Sequence, residues 1–298
     1  MVYHIPALLK ESIDGLNIKP DGIYVDVTFG GGGHSMEILK RLTTGRLIAF
    51  DQDSDALLNV PADDRFLFLD QNFRFLRNNL LFNGIDAIDG LIADLGVSFH
   101  QFDEKERGFT FRQNAALDMR MNIKAGTTAA VLLNTLEEEK LADVFYNYGE
   151  FTNSRRIAHE IIMARKNKPI ETVDDIVSVI GKMAPFRQEH KFWARIFQAL
   201  RIAVNDEIES LREMLQQSLE MLSPGGRLAV ITYHSLEDRL VKNFIRTGNF
   251  EGEEKKDFYG NTETPFRQIT RKGITPGEEE IMSNNRSRSA RLRIAEKI

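Results

Sequence analysis

The stretch that most limits how this chain can fold is residues 23–35, Ile-Tyr-Val-Asp-Val-Thr-Phe-Gly-Gly-Gly-Gly-His-Ser. Apolar Ile23, Val25 and Val27 alternate with other residues, which predicts a short strand. Four glycines follow at once, and Ser35 begins an amphipathic helix. Strand, glycine loop and helix are typical of the first part of a nucleotide-binding βαβ unit. Glycine lets backbone approach a ligand there, and the helix offers free N–H groups.

Two details of this stretch favour a cationic ligand over a dinucleotide. Asp26 lies just before the glycine loop, where its carboxylate would repel a pyrophosphate and attract the ammonium group of an amino acid. The third glycine of the dinucleotide fingerprint is missing, because position 35 is serine. Both points favour S-adenosylmethionine over NAD. A tight turn without a ligand is the alternative that stays open.

Other acidic residues are expected at the ends of later strands. Asp51 ends a second strand, 21 residues after Gly30, close to the spacing at which a carboxylate binds ribose hydroxyls. Phe73 follows a third strand, where it would either stack on an adenine or pack in the core. Asp94 ends a fourth strand. Since ligands bind beyond the carboxyl ends of such strands, this excess of negative charge suits a cationic cofactor.

The pattern changes from α/β to helical in the middle of the chain. A fifth strand is predicted at 227–232, leading to Tyr233–Asp238. Between 105 and 205 only helical periodicity is found, with capping boxes expected at Thr135–Glu138 and Thr172–Asp175. We therefore expect an α/β domain in two parts, 1–104 and 206–298, which would bind the cofactor, around an inserted helical domain, 105–205, which is the candidate for substrate recognition. Antiparallel strands at 266–270 and 291–295 are expected to close the sheet.

Composition excludes several classes of function. Without cysteine the chain has no disulfide, no thiolate nucleophile and no zinc–thiolate site, and its six histidines show no metal-ligand spacing. No metal is expected. No apolar run approaches the roughly 18 residues of a membrane span, and no signal peptide is found, so a cytoplasmic location is expected. The net charge is −5, yet 105–205 carries +4 and the remainder −9, which favours a polyanion-binding surface in the insertion.

Seven motifs follow one another along nearly the whole chain. They are Asp26-x-Thr28-x-Gly30-x-Gly32-Gly33-His34-Ser35, Asp94-Leu-Gly-Val-Ser98 with Gln101, Arg107-Gly-Phe-Thr-Phe111, Leu117-Asp-Met-Arg-Met121, Arg195-x-Phe-Gln-Ala-Leu-Arg-Ile-x-Val-Asn205, His234-Ser-Leu-Glu-Asp238, and Arg286-Ser-Arg-Ser-Ala290 with Leu292-Arg-Ile294. Together they resemble a known family, the bacterial small-subunit (16S) rRNA cytosine-N4 methyltransferases, also called MraW or RsmH. Phe99-His100 and Ala115-Ala116 depart from it, since the family usually has Ser-Pro and Gly-Pro there.

The resemblance implies a class I, Rossmann-like fold that uses S-adenosylmethionine. It implies methyl transfer to the exocyclic N4 amine of a cytidine in the decoding region of small-subunit rRNA, with that rRNA, within the small ribosomal subunit, as the partner. A homodimer is left open. Besides Asp26, the cofactor contacts that the resemblance implies are Gly32, Gly33, His34, Asp51, Phe73, Asp94 and Gln101.

Two residues are candidates for the chemistry at the amine. The N4 lone pair is delocalised into the ring, so an acceptor for the N4–H hydrogen bond would make the nitrogen a better nucleophile. Asp94 is the best-placed acceptor, with cofactor binding and structural capping as its alternatives. His234, at the end of strand five, is the second candidate. Its alternative is a structural role in the cap of the helix that follows.

The basic residues of the insertion and of the C-terminal segment are the candidate rRNA contacts. They are Arg155, Arg156, Arg165, Lys166, Lys168, Arg195 and Arg201, with Arg286, Arg288, Arg291 and Arg293. Phe192 and Trp193 would either stack on a base or pack in the core. Two other functions stay open, an NAD-dependent oxidoreductase and a non-catalytic RNA-binding or ribosome-assembly factor that retains a cofactor site.

Overall fold

The computed structural model describes residues 6–98, 101–102, 104–254, 256, 259 and 264–298. The chain forms two compact units, one made of 1–96 with 208–298 and the other of 97–207. The departure at Phe99-His100 lies outside the described residues. Within the described part of the chain, no helix is long and apolar enough to cross a membrane.

The first unit is built on a seven-stranded sheet. Its strands are β1 Ile23–Asp26, β2 Arg46–Asp51, β3 Phe66–Asp70, β4 Ile88–Asp94, β5 Leu222–Thr232, β6 Phe266–Gln268 and β7 Arg291–Lys297. Their order is β3-β2-β1-β4-β5-β7-β6. Strands β1 to β5 are parallel, whereas β7 lies antiparallel between β5 and β6. The strand predictions are confirmed, although β5 begins five residues before the expected Arg227.

Helices cover both faces of this sheet, and their apolar stripes meet alternate residues of the strands. They are α1 Leu9–Leu16, α2 Gly33–Leu39, α3 Leu76–Phe82, α9 Glu207–Met221, α10 Ser235–Thr247 and α11 Glu278–Ser283. Tyr24 and Ile92 pack with α1 and α2 on one face. Val25 and Leu91 pack with α3, α9 and α10 on the other. Because both faces are buried, β1 and β4 are apolar nearly throughout.

The second unit is helical, as the sequence predicts. Its helices are α4 Ala129–Thr135, α5 Glu138–Asn147, α6 Ser154–Arg165, α7 Val173–Ile180 and α8 Glu189–Asn205. The capping box at Thr172 and Asp175 is confirmed at the start of α7. The one expected at Thr135 is wrong, since Thr135 ends α4 and its hydroxyl donates to the Val131 carbonyl.

Short 3₁₀ segments connect several of these elements. They are Ser54–Asn59, Phe73–Phe75, Lys105–Arg107, Gly181–Met183 and Asn285–Ser289. The first opens with Asp53, whose side chain accepts a hydrogen bond from the Asp55 N–H. The acidic pair after β2 thus serves as a local cap, as carboxylates at helix starts commonly do.

Candidate active site

Four strands of the first unit end on an aspartate. Asp26, Asp51, Asp70 and Asp94 are the last residues of β1, β2, β3 and β4. Since these strands are parallel, the four carboxyl groups share one edge of the sheet. The predicted rim of acids is therefore present, and the glycine loop after β1 belongs to the same edge.

The glycine loop turns sharply, and other residues of the protein hold it in place. Gly30 and Gly32 have positive φ angles of 50° and 78°, a conformation that favours glycine. The Gly30 N–H donates to Oδ2 of Asp51 at 2.7 Å. At Gly33, a Cβ would lie 2.2 Å from the ring of Pro6. Packing against Pro6 thus accounts for the glycine at position 33, while Gly30 and Gly32 are required by the turn.

Asp26 is buried behind the loop, and each of its carboxyl oxygens accepts a hydrogen bond from a neighbour. Its Oδ2 accepts from the Ser35 hydroxyl at 2.7 Å, and its Oδ1 accepts from the Thr28 N–H at 3.0 Å. Burial raises the pKa of Asp26 to about 6, against the effect of these hydrogen bonds. The carboxyl group therefore ties the start of α2 to the end of β1, and contact with a ligand ammonium group stays a prediction.

Asp51 has a similar environment at the end of β2. Besides the bond from Gly30, its Oδ1 accepts from the Asp53 N–H at 2.8 Å. Burial raises the pKa of Asp51 to about 6, and its two backbone hydrogen bonds oppose the rise. Each carboxylate oxygen has a second lone pair, so this geometry leaves acceptor capacity for ribose hydroxyls.

Asp94 is held by groups from three other elements. Oδ1 accepts from the Tyr233 hydroxyl at 2.8 Å, and the Asp94 N–H donates to Oγ1 of Thr28 at 2.6 Å. Oδ2 lies 3.9 Å from Nδ1 of His34. Burial raises the pKa of Asp94 to about 7, with the Tyr233 hydrogen bond opposing it and the charges of Asp26 and Glu237 adding to it.

His34 lies in the first turn of α2 and is buried. Burial lowers its pKa to about 4, with a hydrogen bond to the Ala7 backbone opposing the shift. The imidazole is therefore neutral at neutral pH and does not form a true ion pair with Asp94. Its expected cofactor contact stays a prediction.

Tyr233 and Thr28 are the residues that sequence reasoning left without a role. Tyr233 was placed at the strand end, and Thr28 within the first motif. Their contacts with Asp94 join β1, β4 and the segment after β5. In the sequence, Thr28 and Tyr233 are each a hydroxyl-bearing residue just beyond the end of a strand. Such residues are too common for the sequence alone to identify either of them as a partner of Asp94.

His234 is the N-cap of α10. Its Nδ1 accepts from the Glu237 N–H at 3.4 Å, and its Nε2 lies 3.1 Å from Oε1 of Glu237. Both ring nitrogens thus face the first turn of its own helix. This geometry favours the alternative in which His234 holds the helix cap, and its catalytic role stays a prediction.

Phe73 and Gln101 complete the expected cofactor set. Phe73 begins the turn after β3 and is partly buried against the core under α3 and α9, so both of its expected roles remain compatible with its position. Gln101 belongs to the second unit, where its Oε1 accepts from the Ser98 N–H at 3.0 Å. It fixes the start of that segment, and its cofactor contact stays a prediction.

Several of the candidate rRNA contacts are engaged inside the protein. Arg165 donates to the carbonyls of Leu133 and Leu136. Arg201 forms a bidentate pair with Glu207, and Arg293 forms one with Asp238 at the start of α10. These side chains support the fold, and their ion pairs account for the places of Arg201 and Arg293 in the motifs.

The charges of the first unit fit a cationic cofactor. Asp26 is buried, Asp51 and Asp94 are partly buried, and none of the three forms an ion pair with a lysine or arginine among the described residues. Uncompensated burial is what raises each pKa. A sulfonium and an ammonium group would supply the missing positive charge, whereas a pyrophosphate would add to the repulsion.

The parallel sheet with an antiparallel β7 between β5 and β6, the glycine loop and the acidic rim define a class I methyltransferase that uses S-adenosylmethionine. The sequence profile of the MraW methylase family matches residues 1–298, and the chain belongs to this family. The NAD-dependent alternative is thereby excluded.

Relatives are similar over the full length. A ribosomal RNA small subunit methyltransferase H from Parabacteroides distasonis is 59% identical, over 99% of this chain and 98% of the relative. The protein of that name from Flavobacterium johnsoniae is 56% identical, over 100% and 99%. The protein of that name from Cytophaga hutchinsonii is 51% identical, over 99% and 100%.

Proposed function

We propose that this chain methylates the exocyclic N4 amine of a cytidine in small-subunit rRNA, with Asp94 as the hydrogen-bond acceptor for that amine. The names of the relatives support the rRNA, and the family resemblance supports the cytidine N4. The observation that carries the role of Asp94 is its environment. One carboxyl oxygen is fixed by Tyr233, and the other accepts no hydrogen bond from a described residue.

Asp94 suits an acceptor that works near neutral pH. With a pKa of about 7, it is largely ionised at pH 8 and its basicity lies close to the working pH, where a general base is most effective. Oδ2 would accept the N4–H hydrogen bond, draw the nitrogen lone pair out of the ring, and then take the proton that the methylated amine loses. Solvent would take that proton from Oδ2 afterwards.

The glycine loop, Asp26 and Asp51 are the residues that would hold S-adenosylmethionine. When bound, S-adenosylmethionine supplies a methyl group on a positively charged sulfur, which keeps the S–CH₃ electron pair as the N–CH₃ bond forms. Asp26 would contribute its negative charge, from behind the glycine loop and next to the start of α2. Asp51 would bind the ribose with its remaining lone pairs.

The second unit is proposed to bind the rRNA. Arg155 and Arg156 are exposed in the first turn of α6, and Arg156 is close enough to Glu160 for their charges to attract. Phe192 and Trp193 are 5% and 8% exposed, so the core-packing alternative is confirmed for both. The nearby turn after Lys182 instead exposes Phe186.

Phe186 is the better candidate for stacking on a base. Its ring is 82% exposed, and the Arg187 guanidinium lies 5.2 Å from the ring centroid. Lys182 joins this turn to α6 by an ion pair of 3.0 Å with Glu160. An exposed aromatic ring beside arginines is typical of surfaces that bind unpaired bases. Action on the assembled subunit and a homodimer stay predictions.

Substitution of Asp94 tests its role. Asp94→Asn keeps the size of the side chain but removes its charge and its basicity. We expect the single-turnover methyl-transfer rate at saturating S-adenosylmethionine to fall by about 100-fold or more at pH 8. Small ribosomal subunits without the modification serve as the substrate, and nucleoside mass spectrometry measures the product.

Asp89→Asn is the matched control. Asp89 lies on the same strand β4, at its opposite end, and its side chain is 24% exposed against 21% for Asp94. It accepts from Lys19 and from the Ile23 N–H, so its loss should lower stability and leave the rate unchanged. A wild-type rate in Asp94→Asn would remove Asp94 from the reaction.

A further inference from the structure

The contact between Tyr233 and Asp94 joins two neighbouring strands at the rim. Asp94 pairs with Ile231 of β5 in the register of the sheet, and Tyr233 follows two residues later. The phenol hydroxyl therefore reaches across from β5 to Oδ1 of Asp94, at 2.8 Å. No motif of the sequence assigns this tyrosine a role.

We propose that Tyr233 is a positioning residue for methyl transfer: its hydroxyl fixes Oδ1 of Asp94 and thereby presents Oδ2 to the reacting amine. The proposal rests on the proposed function, since it acts through Asp94. An aspartate without this hydrogen bond would rotate about χ2 and share its two oxygens between competing donors. With Oδ1 engaged, one oxygen and one direction remain for the N4–H group.

The ring of Tyr233 is itself fixed. It packs with the core on the α1 and α2 side of the sheet. A Cβ added at Gly96, which has a φ of 98°, would lie 3.5 Å from the ring. The Tyr233 N–H donates to Oε2 of Glu237 at 2.9 Å. Packing therefore fixes the ring of Tyr233, and the hydrogen bond to α10 fixes its backbone. Together they hold the hydroxyl in place as a donor to Asp94.

The phenol keeps its proton throughout the working pH range. Burial, and then the charge of Asp94, raise the pKa of Tyr233 far above its usual value. Asp94 itself faces Asp26 from β1, His34 from α2 and Glu237 from α10. Glu280 from α11 adds to the negative surroundings of the phenol. Among these groups, Tyr233 is the one whose hydrogen bond stabilises the ionised form of Asp94.

Tyr233→Phe in the full-length protein tests the proposal, because it removes the hydroxyl and keeps the ring. We measure the single-turnover rate of methyl transfer to unmodified small subunits between pH 5 and 9, at saturating S-adenosylmethionine, because the bound sulfonium lowers the pKa of Asp94. The wild-type rate should rise with pH as Asp94 ionises. In Tyr233→Phe this rise should lie about one pH unit higher, so that the rate falls several-fold at the acidic end of the range and less at pH 9. The KM for the subunit should stay unchanged.

A second variant shifts the profile in the opposite direction. Replacement of Tyr233 by 3-fluorotyrosine makes the hydroxyl a stronger donor, so the rise should move to lower pH. This result does not depend on the stability of Tyr233→Phe. The control is Tyr24→Phe, which removes another buried hydroxyl of the same unit, one that accepts from the Lys19 N–H at 2.7 Å. It should lower the melting temperature and leave the pH profile in place.

The outcomes separate this proposal from the proposed function. If Asp94→Asn is impaired and neither Tyr233 variant moves the pH profile, the role of Tyr233 is overturned and that of Asp94 stands. If Asp94→Asn transfers methyl groups at the wild-type rate, both are overturned. A Tyr233→Phe rate that is lowered equally at every pH would show a structural role only, and would also overturn the proposal.

Discussion

Asp26, Asp51 and Asp94 are carboxyl groups that the fold buries wholly or in part, without a positive partner among the described residues. Their folded-state pKa values are about 6, 6 and 7, whereas an aspartate of an unfolded chain titrates near 3.9. A carboxyl group with a raised pKa binds its proton more tightly in the folded protein than in the unfolded chain. Its contribution to stability is complete below the unfolded-state pKa and is lost as the pH rises through the folded-state pKa. The protein without its cofactor should therefore lose stability between about pH 4 and pH 7 through these three groups.

The same linkage predicts how cofactor affinity depends on pH. A cationic ligand stabilises the ionised carboxylates and lowers their pKa values, so binding should release about one proton near pH 6.5 and strengthen from pH 5.5 to 8. Titration calorimetry in two buffers of different ionisation enthalpy measures this release. S-adenosylhomocysteine, which lacks the sulfonium charge, should release fewer protons. Affinity that does not change with pH would mean that the ligand does not reach these acids.

Among the elements, α6 carries two exposed cations that are candidates for rRNA binding, Arg155 and Arg156. We predict that Arg155→Gln with Arg156→Gln weakens binding to the small subunit and lowers the slope of log affinity against log salt by up to about 1.5. Lys40→Gln with Arg41→Gln is the control. These cations lie at the end of α2, which runs back to the amino edge of the sheet. Equal slopes for the two double variants would refute the assignment.

The turn before α8 gives a second prediction at this scale. Phe186→Ala should weaken subunit binding by about tenfold, because stacking on one base is worth roughly 1–3 kcal/mol. Phe82→Ala is the control, since Phe82 is 89% exposed at the end of α3. Both variants should keep the wild-type melting temperature. Binding that weakens equally in the two would point to a general loss of apolar surface.

The elements with strong local signals were predictable from the sequence. The strand and glycine loop at Asp26, the strand ends at Asp51 and Asp94, and the cap at Thr172 all depend on neighbours within a few residues. Contacts across the sheet were not predictable in this way. Tyr233 meets Asp94 through the register of β4 with β5, and no spacing along the chain reveals that register.

Some local sequence patterns did not reveal the contacts that a residue makes in the folded protein. Thr135 has the sequence of a cap, yet it completes α4 because its hydroxyl bonds back to the Val131 carbonyl. At Gly33 an added Cβ would collide with Pro6, which accounts for the glycine, and the expected cofactor contact of Gly33 stays a prediction. Arg201 and Arg293 were expected to bind RNA, and each pairs with a carboxylate of its own unit.

At the scale of the whole molecule, charge is divided between two tasks. The segment 105–205 carries a net +4, and the rest of the chain carries −9. Negative charge around the rim of the first unit suits a cationic cofactor, and positive charge in the second suits a polyanion. The division supports an enzyme that binds its methyl donor in one unit and its rRNA with the other.

Transfer of a labelled methyl group tests the central claim most directly. The protein is incubated with labelled S-adenosylmethionine and small ribosomal subunits that lack the modification, and the nucleosides of the digested rRNA are separated by mass spectrometry. The account predicts label on the N4 nitrogen of a single cytidine, lost in Asp94→Asn and kept in Asp89→Asn. Label on another base or on a ribose would contradict it.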